Sequence, residues 1–125
     1  MTRVRQELGE SGENLAVSEL TSRGYAVVAR RYRTRYGEID IIAIDGDMLV
    51  FVEVRRKSGE GYGAAVESIT ADKRRRVVRM AVEYLARSGS YDTCPVRFDV
   101  VAIDDQPDGT CRITVLQGAF DASGP

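Results

Sequence analysis

The chain has 125 residues, enough for one compact domain over 1–125 and little more. Hydrophobic residues make up 43% of the chain and charged residues 30%, which argues against a disordered chain, and the longest apolar runs are too short to cross a membrane. The net charge of −1 argues against a protein that simply coats nucleic acid, and the absence of histidine excludes every mechanism that needs an imidazole.

The residue pattern predicts two helices and five strands. In chain order they are a helix over 7–23, strands over 25–32, 38–44 and 48–56, a helix capped by Thr70 that runs to 87, and strands over 97–103 and 112–116. This order favours an α/β fold, a three-layer-like sandwich in which helices flank a central mixed β-sheet. A long loop is predicted over Ser58–Gly63, where it could close over a bound substrate.

A two-residue turn at Asp45-Gly46 is expected to join the second and third strands, because Asp-Gly between apolar runs is a strong hairpin signal. With these residues at the centre of the turn, Glu38 faces Glu53, and Asp40 is a diagonal neighbour of Glu53. Because side chains alternate between the faces of a strand, the three acids and Arg55 are predicted on one side of the sheet.

Two directly opposed glutamates repel unless a cation lies between them. Arg55 could supply that cation, or Asp40 and Glu53 could converge on a divalent metal ion, since carboxylate oxygens are the ligands that Mg²⁺ prefers. The alternative is that these acids lie at strand ends and face water.

Glu13 on the first helix is in line with Ala16, Val17 and Leu20, which places it in the stripe expected to face the sheet. A carboxylate on a packing face needs a partner. Equally open is an exposed glutamate near the helix N-terminus, where its charge favours the helix dipole.

The second helix is predicted to be amphipathic. Its apolar side packs on the sheet, and a cationic strip on the other side consists of Lys73, Arg75, Arg76 and Arg79. Such a strip is often only a solvated face. The single sign of its charge favours contact with phosphate groups instead.

Two strings in the predicted hairpin resemble the active-site signature of the PD-(D/E)XK nuclease superfamily. They are Gly37-Glu38-Ile39-Asp40-Ile41-Ile42-Ala43 and Phe51-Val52-Glu53-Val54-Arg55. More narrowly, most of the chain resembles the YraN family of small bacterial proteins. The resemblance implies a restriction endonuclease-like core with the order α-β-β-β-α-β-β.

The resemblance also implies roles for individual residues. Asp40 and Glu53 match the two acids that bind the metal, Mg²⁺ or Mn²⁺, and Arg55 occupies a position usually held by lysine. Glu13 matches a helix-borne catalytic glutamate, and Glu38 belongs to the narrower family signature as a possible additional site residue. These four matched residues, without Glu38, are the predicted catalytic set.

The chemistry implied is metal-dependent hydrolysis of phosphodiester bonds, with DNA as the preferred substrate, in branched or single-stranded form. Lys73 and Arg76 match positions that would contact phosphate, and Arg75 and Arg79 extend that surface. Relatives of the resolvase type often act as dimers, so a homodimer is possible.

Two other functions fit the sequence. The chain could be a nucleic-acid-binding module that keeps the nuclease fold without the reaction, or a scaffold that binds another protein. Met1–Leu20 contains no apolar targeting segment, and the two cysteines are too few for a disulfide framework, so we expect a cytoplasmic protein with reduced thiols.

Overall fold

The computed structural model of the protein describes residues 2–5, 11–58, 69–89 and 94–121. The strands are β1 (Thr2–Arg5), β2 (Ala26–Thr34), β3 (Gly37–Asp45), β4 (Met48–Ser58), β5 (Val96–Asp105) and β6 (Thr110–Phe120). The helices are α1 (Gly12–Ser22) and α2 (Ala71–Ser88). Residues 7–10 of the first predicted helix and 59–63 of the predicted loop lie outside the described residues.

The six strands form one sheet in the order β1-β6-β5-β4-β3-β2, in which β4 and β5 are parallel and the other neighbours are antiparallel. The predicted α/β class and mixed sheet are therefore confirmed. The sequence did not reveal β1, because four residues with a single valine carry no alternation signal. In the described ranges no helix is long and apolar enough to cross a membrane.

In the part of the chain that the structure describes, α1 covers one face of the sheet and α2 covers the other, which makes three layers. α1 buries Ala16 and Leu20 in a core that contains Val52 of β4, and α2 buries Met80 in a separate core that contains Phe51. Phe51 and Val52 are successive strand residues, so they point to opposite faces. The predicted sandwich is confirmed.

Local capping chemistry sets the helix ends. The Ser11 side chain accepts a hydrogen bond of 3.0 Å from the Asn14 amide, so α1 begins at Gly12 and not at Glu7 as predicted. Thr70 caps α2 in the same way, as predicted. Gly89 ends α2 in the left-handed conformation that glycine adopts readily.

The hairpin turn between β3 and β4 lies one residue later than predicted. Asp45 pairs with Met48, so the central residues are Gly46 and Asp47, and Gly46 has φ of +65°. Glycine at the first central position is another favourable two-residue turn. Each β3 residue therefore faces a β4 residue two positions later than predicted, so that Ile41 faces Val52. The prediction that Glu38 faces Glu53 is wrong.

Candidate functional site

β3 breaks its regular alternation of faces at Asp40. Ile39 and Ile42 both belong to the core under α2, while Ile41 belongs to the core under α1. On the neighbouring strand β2, Arg31 lies between the residues that pair with Ile39 and Ile41, and its backbone has φ of +50°. Both strands therefore depart from regular strand geometry at this point, where Asp40 lies.

Beyond the paired part of the hairpin, Asp40 turns toward β4. The backbone amide of Val54 donates a hydrogen bond of 2.8 Å to Asp40 Oδ2. Glu53 is 3% exposed, and its carboxyl group lies within hydrogen-bonding range of that of Asp40. The shifted register thus brings together the two acids that the sequence analysis selected as metal ligands.

Both acids bind protons more tightly than usual. Burial and then the charge of Asp40 raise the pKa of Glu53 to about 7, although Lys73 opposes the rise. Burial also raises the pKa of Asp40, against the Val54 amide and the Lys73 charge. Because each negative charge disfavours the other, ionisation of both acids at once is opposed.

Glu53 is only partly satisfied. Its Oε1 lies 3.4 Å from the Lys73 ammonium and 4.0 Å from the Arg55 guanidinium. Its Oε2 is buried and has no hydrogen-bond partner among the described residues. A buried carboxylate oxygen without a partner is costly, and a bound cation would supply the missing interaction.

The sequence analysis placed Lys73 on the wrong side of α2. Lys73 precedes Val77 by four residues and Met80 by seven, so all three share the face that packs on the sheet. Its side chain consequently reaches Glu53 and does not join the cationic strip. The Glu53 carboxylate thus has an arginine of β4 and a lysine of α2 beside it.

Glu13 lies beside this pair but interacts with other residues. Its carboxylate accepts hydrogen bonds from Arg30 at 2.7 Å and Arg31 at 3.1 Å. Burial alone would raise its pKa, but the two arginines outweigh burial and hold the pKa below its usual value. Glu13 is close enough for its charge to raise the pKa of Asp40.

Glu38 pairs with an arginine of β2. It forms an ion pair of 3.0 Å with Arg33, which is its partner in the β2–β3 register. Both side chains are substantially exposed, so the pair contributes little to stability. The prediction that Glu38 shares a surface with Asp40 and Glu53 has no support in these contacts.

Arg75, Arg76 and Arg79 line one shallow depression on the outer side of α2, together with Asp72. Arg75 forms an ion pair with Asp72, and Arg87 forms another of 3.3 Å with Glu83. The prediction that this helix face carries charge of a single sign is therefore wrong. Cations still predominate on it.

Arg30 and Arg31 are candidate site residues that the sequence analysis missed. They appear in the sequence only as part of an arginine-rich stretch over 30–35, and that pattern does not indicate which side chains meet an acid. Their bonds to Glu13 place two guanidinium groups on the α1 side of the site. A phosphate group is a natural ligand for such arginines.

A second buried acid, Asp99 of β5, has a different environment. Asp99 Oδ1 accepts from Arg97 Nε at 2.8 Å and from the Gly118 amide at 3.0 Å. Asp99 Oδ2 accepts from the Tyr25 hydroxyl at 2.7 Å and from Arg97 at 2.8 Å. Gly118 has φ of +61° and lies in an irregular part of the β5–β6 pairing, where β6 advances by four residues while β5 advances by two. This irregularity brings the Gly118 amide to Asp99.

The residues around Asp40 and Glu53 fit a divalent cation of the Mg²⁺ type. They offer two adjacent carboxylates, one with an oxygen that lacks a partner, and no soft ligand such as a thiolate contacts them in the described ranges. No group of three acidic, cysteine or histidine side chains in those ranges could hold an ion. Mg²⁺ often binds through one or two carboxylates and keeps several waters, so two suffice.

Comparison with known proteins identifies relatives across most of the chain. Residues 12–103 match the Uncharacterised protein family UPF0102. A UPF0102 protein of Symbiobacterium thermophilum is 50% identical over 119 residues, which is 95% of this chain and 100% of the relative. One of Rhodococcus jostii is 52% identical over 77% of this chain and 80% of its own length, and one of Legionella pneumophila is 40% identical over 95% and 98%. The chain therefore belongs to the YraN-like UPF0102 family.

Proposed function

We propose that this protein is a divalent-metal-dependent nuclease that hydrolyses phosphodiester bonds, with DNA as its preferred substrate. The observation that carries the proposal is the buried Asp40–Glu53 pair, whose Glu53 Oε2 has no partner in the described part of the chain and whose Oε1 lies 3.4 Å from a lysine. The element order from α1 to β6 also agrees with the core implied by the PD-(D/E)XK resemblance.

Asp40 and Glu53 are the residues that would hold Mg²⁺ or Mn²⁺. The ion, when bound, lowers the pKa of a coordinated water and stabilises negative charge on the phosphate. Asp40 is oriented for this role by the Val54 amide, which fixes one of its oxygens at 2.8 Å. Ionisation of both acids, which their raised pKa values oppose, becomes favourable when a cation binds.

Lys73 takes the place of the lysine that the resemblance implies at position 55 of β4. An arginine at 55 stays protonated, so it can bind or orient a phosphate but cannot accept a proton. Lys73, whose ammonium lies 3.4 Å from Glu53, carries a second charge that can bind a phosphate beside the acid. The reaction is thus assigned to residues from two different elements, β4 for the acid and α2 for the amine.

The test is cleavage of labelled DNA by the purified protein in Mg²⁺ or Mn²⁺, with single-stranded, duplex and branched substrates and an RNA strand. We expect Asp40→Asn and Glu53→Gln to reduce the rate by about 100-fold or more, because each removes a charge that the metal requires. Asp47→Asn, which changes an exposed acid in the β3–β4 turn, is the matched control. Cleavage that survives Asp40→Asn would refute the proposal.

Lys73→Met tests the assigned amine separately. It keeps the length and the packed methylenes of the side chain but removes the charge 3.4 Å from Glu53. We expect a loss of rate while metal binding is retained. An unchanged rate would leave Arg55 as the cation of the reaction.

A non-catalytic nucleic-acid-binding module is the second candidate, and the replacement of the usual lysine by Arg55 favours it. Binding would then weaken steeply with salt and survive Asp40→Asn. Absence of both cleavage and salt-dependent binding would favour the protein-binding scaffold.

The proposal includes a cytoplasmic location, where the free thiols Cys94 and Cys111 would stay reduced. It also includes a homodimer as a possible active form, because two copies related by a two-fold axis could act on two strands. The mass of the purified protein by light scattering, with and without DNA, tests the dimer.

A further inference from the structure

A groove of about 770 Å³ lies on the outer side of α2. α2 forms one wall, and the other walls come from the β2–β3 turn and the end of β6. The apolar part of the lining consists of Val78, Val82, Ala86, Ala119 and Phe120. Val82 is 44% exposed, so apolar surface is left open to solvent in this groove.

The rim of the groove is cationic. Arg35, Arg74, Arg75 and Arg79 line it. The guanidinium groups of Arg35 and Arg79 each lie 5.2 Å from the centre of the Tyr36 ring, which holds them at the edge. Two acids, Glu83 and Asp121, also line the groove, and Glu83 forms an ion pair with Arg87. Four guanidinium groups against two carboxylates leave the lining positive.

An apolar lining with a cationic rim suits a ligand that is flat and apolar in one part and anionic in the next. An unpaired nucleic-acid strand has this chemistry, because its bases stack on apolar and guanidinium surfaces while its phosphates bind arginine. A duplex keeps its bases stacked inside and offers only phosphates to such a surface. The apolar residues of the groove therefore favour a single strand.

The helix α2 contributes residues both to the groove and to the proposed active site. Lys73, which reaches Glu53, directly precedes Arg74 of the groove on α2. From Arg74 to Ala86 the helix rises about 18 Å, enough to support several nucleotides. A second copy of the chain would bring four arginines against four others if it docked on this face about a two-fold axis, which is unfavourable.

We propose that this groove binds an unpaired segment of DNA and directs the adjoining phosphodiester to Asp40 and Glu53. The second part rests on the proposed nuclease function. The first part does not, because binding to the groove requires neither the metal nor the reaction.

The test is fluorescence anisotropy in EDTA, with a labelled single strand of about 12 nucleotides and the duplex of the same sequence at about 0.1 M salt. We expect the single strand to bind at least about 10-fold more tightly than the duplex. Val82→Asp should weaken single-strand binding by about 10-fold, because it places a negative charge and removes apolar surface in the groove.

Val28→Asp is the matched control, since Val28 is 48% exposed on β2 and does not line the groove. Ala86→Glu provides a second groove variant in case Val82→Asp lowers the yield of folded protein. Circular dichroism establishes that each variant is folded.

Equal or tighter binding of the duplex would overturn the inference, as would an equal effect of the groove variants and Val28→Asp. Tighter binding of an acidic peptide with aromatic side chains, in competition with the single strand, would overturn it in favour of a protein partner. If the single strand binds as expected but no metal ion promotes its cleavage, the proposed nuclease function fails and the groove assignment stands.

Discussion

Asp99 and Glu53 are both buried acids of the sheet, but their hydrogen-bond partners differ greatly. Asp99 is fully buried, and both of its oxygens accept two hydrogen bonds. Glu53 is nearly as buried but faces a second acid, and its Oε2 has no partner in the described ranges. The hydrogen bonds that Arg97 and Tyr25 donate to Asp99 are 2.7–2.8 Å long. The Lys73 ammonium, in contrast, lies 3.4 Å from Glu53 Oε1.

This difference separates a structural acid from an acid that can bind a ligand. A buried charge whose partners are complete stabilises one conformation and has no capacity for another ligand. A buried pair of acids that repel and lack partners lowers stability until a proton or a cation joins them. The contrast points to the Asp40–Glu53 end of the sheet as the functional end.

The largest expected effect is on the structural acid. Asp99→Ala should lower the free energy of unfolding by about 3 kcal/mol, because it leaves Arg97 and the Tyr25 hydroxyl without their main acceptor. Asp40→Ala should cost about 1 kcal/mol, since it loses one hydrogen bond and relieves a repulsion. Urea unfolding measures both. Equal losses would remove the distinction between the two regions.

The pH dependence of stability tests the strain in the acid pair. The folded pKa of Glu53, about 7, lies above its ordinary value of 4.5, so between these pH values the folded protein holds a proton that the unfolded chain has lost. The stabilisation that this bound proton provides is therefore complete below pH 4.5 and is lost as the pH rises to about 7. The free energy of unfolding should fall by about 1–3 kcal/mol over this range.

Glu53→Gln has no such titration and is the control for this experiment. The free energy of unfolding of Glu53→Gln minus that of the unsubstituted protein should increase between pH 5 and pH 8, because only the unsubstituted protein loses this stabilisation. A constant difference across this range would contradict the raised pKa.

Divalent metal ions should act on the two regions unequally. Mg²⁺ or Mn²⁺ at about ten times its dissociation constant should stabilise the protein by about 1.4 kcal/mol, because it binds only the folded acid pair. Glu53→Gln should lose this response and Asp47→Asn should keep it. Thermal melts with and without EDTA, and calorimetric titration, measure the effect; an undiminished response in Glu53→Gln would locate the ion elsewhere.

The smallest expected effect concerns the backbone beside the acid pair. Arg31 has φ of +50°, a conformation that costs about 1 kcal/mol for a residue with a Cβ atom. Arg31→Gly and Arg31→Ala both remove the bond to Glu13, but only glycine removes the strain. We expect the glycine variant to be more stable than the alanine variant by about 1 kcal/mol in urea unfolding. No difference would show that this end of the sheet stores no strain.

Much of the secondary structure was predictable because its signals are local. Thr70 and Gly89 bound α2 as expected, and the apolar strings of β3 and β4 identified the central strands. The turn was placed one residue early because Asp-Gly and Gly-Asp are both acceptable two-residue turns. Only pairing of the whole strands decides between them.

The candidate site was predictable in part. Asp40 and Glu53 were selected because they interrupt apolar strands, and the one-residue error in the turn preserved their common face. The positions of Lys73 and Glu38 were predicted wrongly. Lys73 has the spacing of the packed face of α2, which was overlooked, while Glu38 was assigned from a register that the fold does not adopt.

By itself the sequence determined the layers of the fold and the two central acids, because periodicity, caps and turns depend on neighbouring residues. The tertiary structure alone decided which cation meets which acid, since the partners lie on different elements in the pairs Lys73 with Glu53, Arg30 with Glu13 and Arg97 with Asp45. It also decided that both oxygens of Asp99 have hydrogen-bond donors, whereas Glu53 Oε2 has none among the described residues. Whether a buried charge is satisfied depends on how the elements pack together, which no local pattern specifies.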